Sequence, residues 1–440
     1  MENEVLAALM FPMLFLFVFL GIPVAFALIA TAFLMAFPEF GFRTPVQLYN
    51  IIQGTASQLL LTAIPAFVFM GVMLEASGIS ERLFRAMQVW LGRLPGGLSL
   101  ATVAMAAIIA ASTGIVGAVE VVIGVMAIPI MMRNGYSKSL ISGTICAGGS
   151  LGTMIPPSIV VVIYASIANE SAGKLFAAIL IPAGIMVGLF LGYIFFRALL
   201  RPQDAPPVFE GADMSLGEKL WVSATGIVPA VFLIGAVLGA ILMGVATPTE
   251  AASIGALGAV LLTIFYGRFS LKVLADTLRR TLLINCMIML IVAGGNMFAG
   301  IFRLHQGNAL IQDMVFTAGL PEWGILAILI LIVFLAGCIL DWVSVVLITL
   351  PIFLPILASA GIDTIWFAAI MVIVIQTSYL TPPMAPSIFY LRSIAPKDIS
   401  FGDMYRGVVP FILCQLVVLA LVLAFPGLAT YLPSQLQGFN

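Results

Sequence analysis

Ala147-Gly148-Gly149-Ser150-Leu151-Gly152-Thr153-Met154-Ile155-Pro156-Pro157-Ser158 packs three glycines, two prolines and three hydroxyl groups into twelve consecutive residues. Such a run cannot hold a regular helix, because proline lacks an N–H and clashes with the preceding turn, while glycine loses the most backbone entropy. Unwinding there frees carbonyl oxygens, which are ligands for a hard cation such as Na+. The helix that resumes near Pro157 aims free N–H groups and the positive end of its dipole into the same gap. A second run, Gln376-Thr377-Ser378-Tyr379-Leu380-Thr381-Pro382-Pro383-Met384-Ala385-Pro386-Ser387, has the same character. The candidate ion ligands are Gly149, Ser150, Gly152 and Thr153 in the first run, and Thr377, Ser378 and Thr381 in the second. Thr153, Pro157, Ser158, Thr381 and Pro383 are candidates for holding a bound solute. The bland alternative is a proline kink with glycines for close helix packing.

Two more places interrupt apolar sequence with polar or small residues: Ser112-Thr113-Gly114-Ile115-Val116-Gly117 within 97–132, and Asp341-Trp342-Val343-Ser344 within 323–357. As straight helices these segments would run about 50 Å at 1.5 Å per residue, against a hydrocarbon core of about 30 Å. Two short legs meeting at a polar tip fit better, so both read as re-entrant hairpins. Ser112, Thr113, Gly114, Asp341 and Ser344 join the candidate ion ligands, and Ser112 also joins the solute set. The first tip is expected to meet Gly148 to Thr153, and Asp341 and Ser344 to meet Thr377 to Thr381. A carboxylate at the membrane centre costs a few kcal/mol, so Asp341 reads either as a holder of a cation or proton, or as the N-cap of the hairpin's second leg. Glu120 reads as a second-leg residue facing a polar cavity. Thr247-Pro248-Thr249-Glu250 has the pattern of a capping box, Arg82, Arg85 and Trp90 fit an amphipathic interfacial helix, and Asn296 beside Gly294-Gly295 marks a bend in its span.

The elements that must position these groups repeat. Pro129, Gly135, Pro156-Pro157 and Tyr164 recur 226 residues later as Pro355, Gly361, Pro382-Pro383 and Tyr390; Phe69, Gly71 and Gly78 recur as Phe298, Gly300 and Gly307. With 62% apolar and 8% charged residues in 440, the chain is no soluble globule, which would carry about 25% charge. Ordinary spans fit at 8–36, 48–76, 139–168, 175–200, 222–244, 248–266, 282–302, 364–391 and 407–430. The run Leu6 to Phe37 lacks a basic n-region and is too long for a signal peptide, so it reads as a retained first span. With the N-terminus cytoplasmic, the layout puts most Lys and Arg inside, leaving Arg43, Lys174 and Arg303 outside with the C-terminus. The fold class is an all-α polytopic membrane protein with two inverted repeats, each carrying a re-entrant hairpin and a broken transmembrane helix. Residues 1–200 form the first repeat (hairpin 97–132, broken helix 139–168), 201–247 a linker and an extra crossing, and 248–440 the second repeat (hairpin 323–357, broken helix 364–391). Pro202, Pro206 and Pro207 make the linker an extended connection. Inverted repeats with interrupted helices are the hallmark of a carrier that alternates access.

Enzymatic chemistry is not encoded. His305 is the only histidine, Cys146, Cys286, Cys338 and Cys414 lack metal or redox spacing, and no Gly-rich nucleotide loop is present. Near-zero net charge gives no basis for nucleic-acid binding. No Lys or Arg lies deep in a predicted site, so an anion would rest on helix N-termini, hydroxyls and a co-bound Na+.

The segment Gly148-Gly149-Ser150-Leu151-Gly152-Thr153-Met154-Ile155-Pro156-Pro157-Ser158, with Gly244-Val245-Ala246-Thr247-Pro248-Thr249-Glu250-Ala251-Ala252 and Thr381-Pro382-Pro383, resembles the large membrane subunit of tripartite ATP-independent periplasmic (TRAP) transporters, the DctM-like family. The likeness runs through essentially the whole chain. The resemblance implies an elevator-type carrier of the ion transporter superfamily kind in a bacterial inner membrane, driven by a sodium gradient, with sodium sites at hairpin tips and broken helices. It also implies a small four-helix membrane subunit as partner, expected as a separate chain because no extra spans precede Leu6, and a soluble periplasmic substrate-binding protein that delivers an organic acid. A stand-alone sodium/anion symporter and a non-transporting membrane scaffold subunit are the alternatives.

Overall fold

The computed structural model describes residues 2–114, 116–208, 214–317 and 319–436, and every regular element among them is a helix. Ile115, assigned above to a tip, and residues 209–213 of the linker lie outside the described residues. Nine helical segments are long and apolar enough to cross a bilayer among the described residues.

The single span expected over 8–36 is two helices, α1 (Glu2–Phe19) and α2 (Val24–Phe40). Gly21 adopts φ +86°, the Ile22 N–H returns to the Phe17 carbonyl, and the Gly21 N–H to Val18. These are the closing bonds of a Schellman cap, and Pro23 has no N–H with which to extend the helix. Phe11 meets Phe298 and Phe302 edge-on at 5.6 and 5.5 Å. Along the same long helix, Ala25 and Leu28 sit beside Gly294, and His305 Nε2 pairs with the Met35 carbonyl at 2.9 Å. α1 therefore folds back along α2, and the chain starts on the His305 face, opposite to the face that one span would give. The next expected span is also interrupted, into α3 (Thr44–Ala56) and α4 (Ala63–Ala76).

α5 (Ile79–Leu91) presents Trp90 to Ser223 and stacks Arg82 over Tyr266. The first hairpin is α6 (Gly97–Thr113) and α7 (Val116–Arg133), whose base is closed by the Leu98 N–H donating to the Tyr136 hydroxyl at 3.2 Å. α8 (Lys138–Ser150) and α9 (Ile159–Ala168) are the two halves of the first broken span, and α10 (Ala172–Leu200) returns. The linker's first half hugs the hairpin base: Gly96 N–H donates to Ala205, Val208 N–H to Gly92, and Arg197 pairs with Asp204 at 3.1 Å. α11 (Leu216–Gly226) and α12 (Val228–Leu242) make the extra crossing. α13 (Pro248–Phe265) opens with the capping box, Thr247 Oγ1 accepting from the Glu250 N–H and the Glu250 carboxylate from the Thr247 N–H. α14 (Leu271–Leu304) passes unbroken through Gly294-Gly295-Asn296, so the bend expected there is absent. Asn296 instead donates to Thr55 at 2.9 Å, while Gly294 admits α2 and Gly295 admits Leu347.

α15 (Gly307–Thr317) leads to the second hairpin, α16 (Glu322–Gly337) and α17 (Trp342–Ser359). α18 (Thr364–Leu380) and α19 (Pro386–Ile394) are the second broken span; α20 (Phe401–Ala424) and α21 (Gly427–Gln435) follow. The recurring Gly135 and Gly361 close the second legs identically: each takes a positive φ while the next N–H reaches back to Met131 or Leu357. Packing is exchanged between the halves: α7 lies on α19 and α17 on α9, while α8 lies on α20 and α18 on α10. Ser150 and Gln376, 226 residues apart, hydrogen-bond directly at 3.1 Å, so equivalent positions of the two halves touch at the centre.

α17 begins at Asp341, whose carboxylate accepts from the Val343 and Ser344 N–H groups and from Ser344 Oγ at 2.5 Å. It is an N-cap, satisfying amides that hydrocarbon would leave bare. Asp341→Ala is expected to lower unfolding stability by about 0.5–2 kcal/mol and Asp341→Asn by much less, read by thermal unfolding in detergent. Equal losses would contradict the capping role. α8 and α20 cross so closely that a Cβ on Gly143 would lie 2.1 Å from the Gly407 carbonyl, whereas Gly184 has open space. Gly143→Val should therefore cost about 1–3 kcal/mol by overpacking in the same assay, and Gly184→Val little.

Candidate functional site

Each hairpin ends against a broken span. Gly114 caps α6 with φ +61°, and a Cβ there would lie 3.3 Å from the Ile159 amide nitrogen and 3.5 Å from the Pro157 carbonyl. The first tip thus also meets the far side of the break; α6 packs on the 3-10 turn Leu151–Thr153, and Gly148 and Gly149 face Ala106 and Glu120. At the second hairpin, Gly337 abuts Ser378, where a Cβ would fall 2.1 Å from its hydroxyl. The tips also touch the flanking helices, with Gly71 of α4 lying against the Thr113 backbone.

The candidate hydroxyls mend the backbone around them. Ser112 and Thr113 donate to the Ile109 carbonyl at 2.7 and 3.1 Å. Ser150 donates to Ala147, Thr153 to Ser150, and Ser158 to the Thr153 carbonyl at 2.6 Å, which staples the two sides of the first break. Thr377, Ser378 and Thr381 donate to Ile373, Ile375 and Thr377, one turn back in α18. A hydroxyl that donates its proton keeps lone pairs for a second partner. Gly152 lies buried in the 3-10 turn Leu151–Thr153. Pro157 is buried while Pro383 is exposed, so the two breaks differ in access.

A cavity of about 850 Å3 opens between the tips and the helices beside them. Thr113 and Gly117 come from the first hairpin, Asp341, Trp342 and Val343 from the second, and Tyr379 and Tyr390 from the second broken span; α2, α4 and α14 supply the apolar opposite wall. This volume suits a small organic molecule. None of the residues assigned above to the solute (Ser112, Thr153, Pro157, Ser158, Thr381, Pro383) lines it, and of the ion candidates Thr113 and Asp341 do. Its lining charges are Asp341 near the tips and, toward the opening, Glu75 and Arg280, 3.5 Å apart with the Arg280 side chain 66% exposed.

Sequence reasoning missed the tyrosines. Tyr164 and Tyr390 occupy matching positions, but Tyr164 is buried and donates to the Thr364 carbonyl at 2.7 Å, while Tyr390 is 42% exposed at the cavity. The recurrence was the available signal; the difference in surroundings was not visible in one chain. Glu120 does not reach this cavity. It is fully buried against Gly149, accepts from Ser387, and its Oε2 has no protein partner among the described residues. Beside it, Gln376 and Gln415 both turn their amide nitrogens to Ser150 Oγ, at 3.1 and 3.5 Å. Ser387 lies 267 residues from Glu120, a pairing no local pattern announces.

Comparison with known proteins agrees with this architecture. Residues 11–428 match the family model described as tripartite ATP-independent periplasmic transporter, DctM component. The chain is 32% identical to the C4-dicarboxylate TRAP transporter large permease protein DctM of Pseudomonas aeruginosa, over 87% of this chain and 88% of that one. It is 29% identical to the ectoine/5-hydroxyectoine TRAP transporter large permease protein UehC of Ruegeria pomeroyi, over 97% and 98%. Among solved structures, the YdaH transporter of Alcanivorax borkumensis shares the fold with a TM-score of 0.61 at 17% identity, over 89% of this chain and 90% of that one. An all-helical chain whose hairpins and broken spans enclose a solute-sized cavity, and which matches that family model over nearly its full length, belongs to the DctM family: it is the large permease subunit of a TRAP transporter.

Proposed function

We propose that this subunit imports a small organic acid by sodium-coupled alternating access, receiving it from a soluble periplasmic binding protein and working beside a small four-helix membrane subunit in a bacterial inner membrane. The cavity between the tips carries the reading. Its one charge near the tips is the Asp341 carboxylate, and its cation, Arg280, stands toward the opening beside Glu75. An anion entering such a space meets repulsion from that carboxylate, and a co-transported Na+ neutralises it. The tip and break hydroxyls of Ser112, Thr113, Thr153, Ser378 and Thr381 all donate to backbone carbonyls, which leaves oxygen lone pairs for a hard cation.

The positive-inside rule makes the face of Arg82, Arg133, Arg201 and Arg280 cytoplasmic. The cavity then opens inward, and because α1 is a separate crossing the N-terminus lies outside with the C-terminus. The hairpins and broken spans form the moving part of an elevator, with α2, α4 and α14 as its fixed wall.

In proteoliposomes holding this chain and its small partner, uptake is expected only with both an inward sodium gradient and loaded binding protein outside. Uptake without the binding protein would point to a stand-alone symporter, and sodium-independent uptake would end the coupling claim. Ser112→Ala combined with Thr153→Ala is expected to raise the sodium concentration for half-maximal uptake several-fold at near-normal expression. Unchanged sodium dependence would place the ion elsewhere.

A further inference from the structure

We infer that Tyr379 and Tyr390 are the solute's anchor, a pair of neutral phenols that offer an O–H to a carboxylate oxygen. The inference rests on the carrier reading above and names the groups that recognise the acid. Both rings line the cavity between the two tips, and the two side chains stand close to one another. Neither hydroxyl donates to any other residue among the described residues, so an O–H is available to a ligand.

Both rings are held before any ligand arrives. Tyr379 is 4% exposed. Tyr390 lies flat against Gly117 of the first hairpin, where a Cβ would be 2.8 Å from its ring carbons. A rigid aromatic donor with few rotatable bonds loses little entropy on binding. The position matched by the repeat behaves differently, since the Tyr164 hydroxyl is consumed by the Thr364 carbonyl at 2.7 Å. The same residue is structural in one half and open in the other. With Arg280 standing toward the opening and Asp341 occupied as a helix cap, the phenol O–H groups and the Trp342 indole N–H are the donors beside the tips. An O–H to a carboxylate is a short, charge-assisted bond.

The test is binding of succinate, pyruvate and gluconate to the purified complex of this chain and its small partner in sodium buffer, read as thermal stabilisation against acid concentration, with uptake of the same acids measured in parallel. Tyr379→Phe and Tyr390→Phe are expected to raise the half-maximal concentration about tenfold, the loss of one hydrogen bond to a charged group, without moving the melting temperature of the unliganded complex. Tyr164→Phe should leave the half-maximal concentration unchanged. Gly117→Ala, which displaces the Tyr390 ring while keeping its hydroxyl, should raise it too. Unchanged concentrations in both cavity variants, with wild-type binding intact, would overturn the inference and leave the carrier reading standing. Wild-type protein that is neither stabilised by any of the three acids nor takes one up would overturn both.

Discussion

A helix broken inside a membrane must have every freed amide and carbonyl answered by the protein or by a wet cavity, because hydrocarbon offers neither donor nor acceptor. Most of the remaining architecture follows from that constraint. Ser158 and Thr153 staple the first break through its own carbonyls, Thr381 and Thr377 do the same along the end of α18, and Asp341 covers the bare amides that open α17. The hairpins bring their tips to these points, Gly114 against the backbone of Pro157 and Ile159 and Gly337 against the Ser378 side chain, because small residues there allow close approach. Where the second break is not covered, its prolines face open space, and the cavity begins beside it.

The two halves satisfy this constraint jointly. Each hairpin's second leg packs on the other half's broken span, and Ser150 meets Gln376 at the centre. Each half thus helps to cover the other's break. Equivalence nevertheless ends at the cavity. The first half buries its break and spends Tyr164 on a carbonyl, while the second exposes Pro382 to Met384 and turns Tyr390 outward. The cavity accordingly opens beside the second break.

Much of the fold was legible in the chain because polar and conformationally special residues stand out against an apolar background. The hairpins announced themselves as apolar stretches too long to cross and too polar at their middles, and the capping box at Thr247 was readable from four residues. Other features were hidden by the same background. Gly21-Ile22-Pro23 divides α1 from α2 without a charge or polar cluster, so a continuous apolar run concealed two helices. Gly294-Gly295-Asn296 read as a bend, and its role as a packing notch was hidden because its partners in α2, α3 and α17 are remote in sequence. Asp341 left two readings open, and its three acceptor bonds show a cap. The candidate hydroxyls were rightly placed near the breaks, yet the sequence could not show that they point at their own helices while the tyrosines form the wall.

The central claim is that the two tips flank one path and change exposure together. It is tested most directly by placing single cysteines at Thr113 and Val343, one on each hairpin at the cavity wall, after replacing Cys146, Cys286, Cys338 and Cys414. A membrane-impermeant thiol reagent is then applied to either face of oriented vesicles. Both positions are expected to label from the Arg280 face in the absence of solute, and to lose that labelling together when acid and sodium are added. Tips that respond independently, or that label from opposite faces in the same condition, would contradict a shared path.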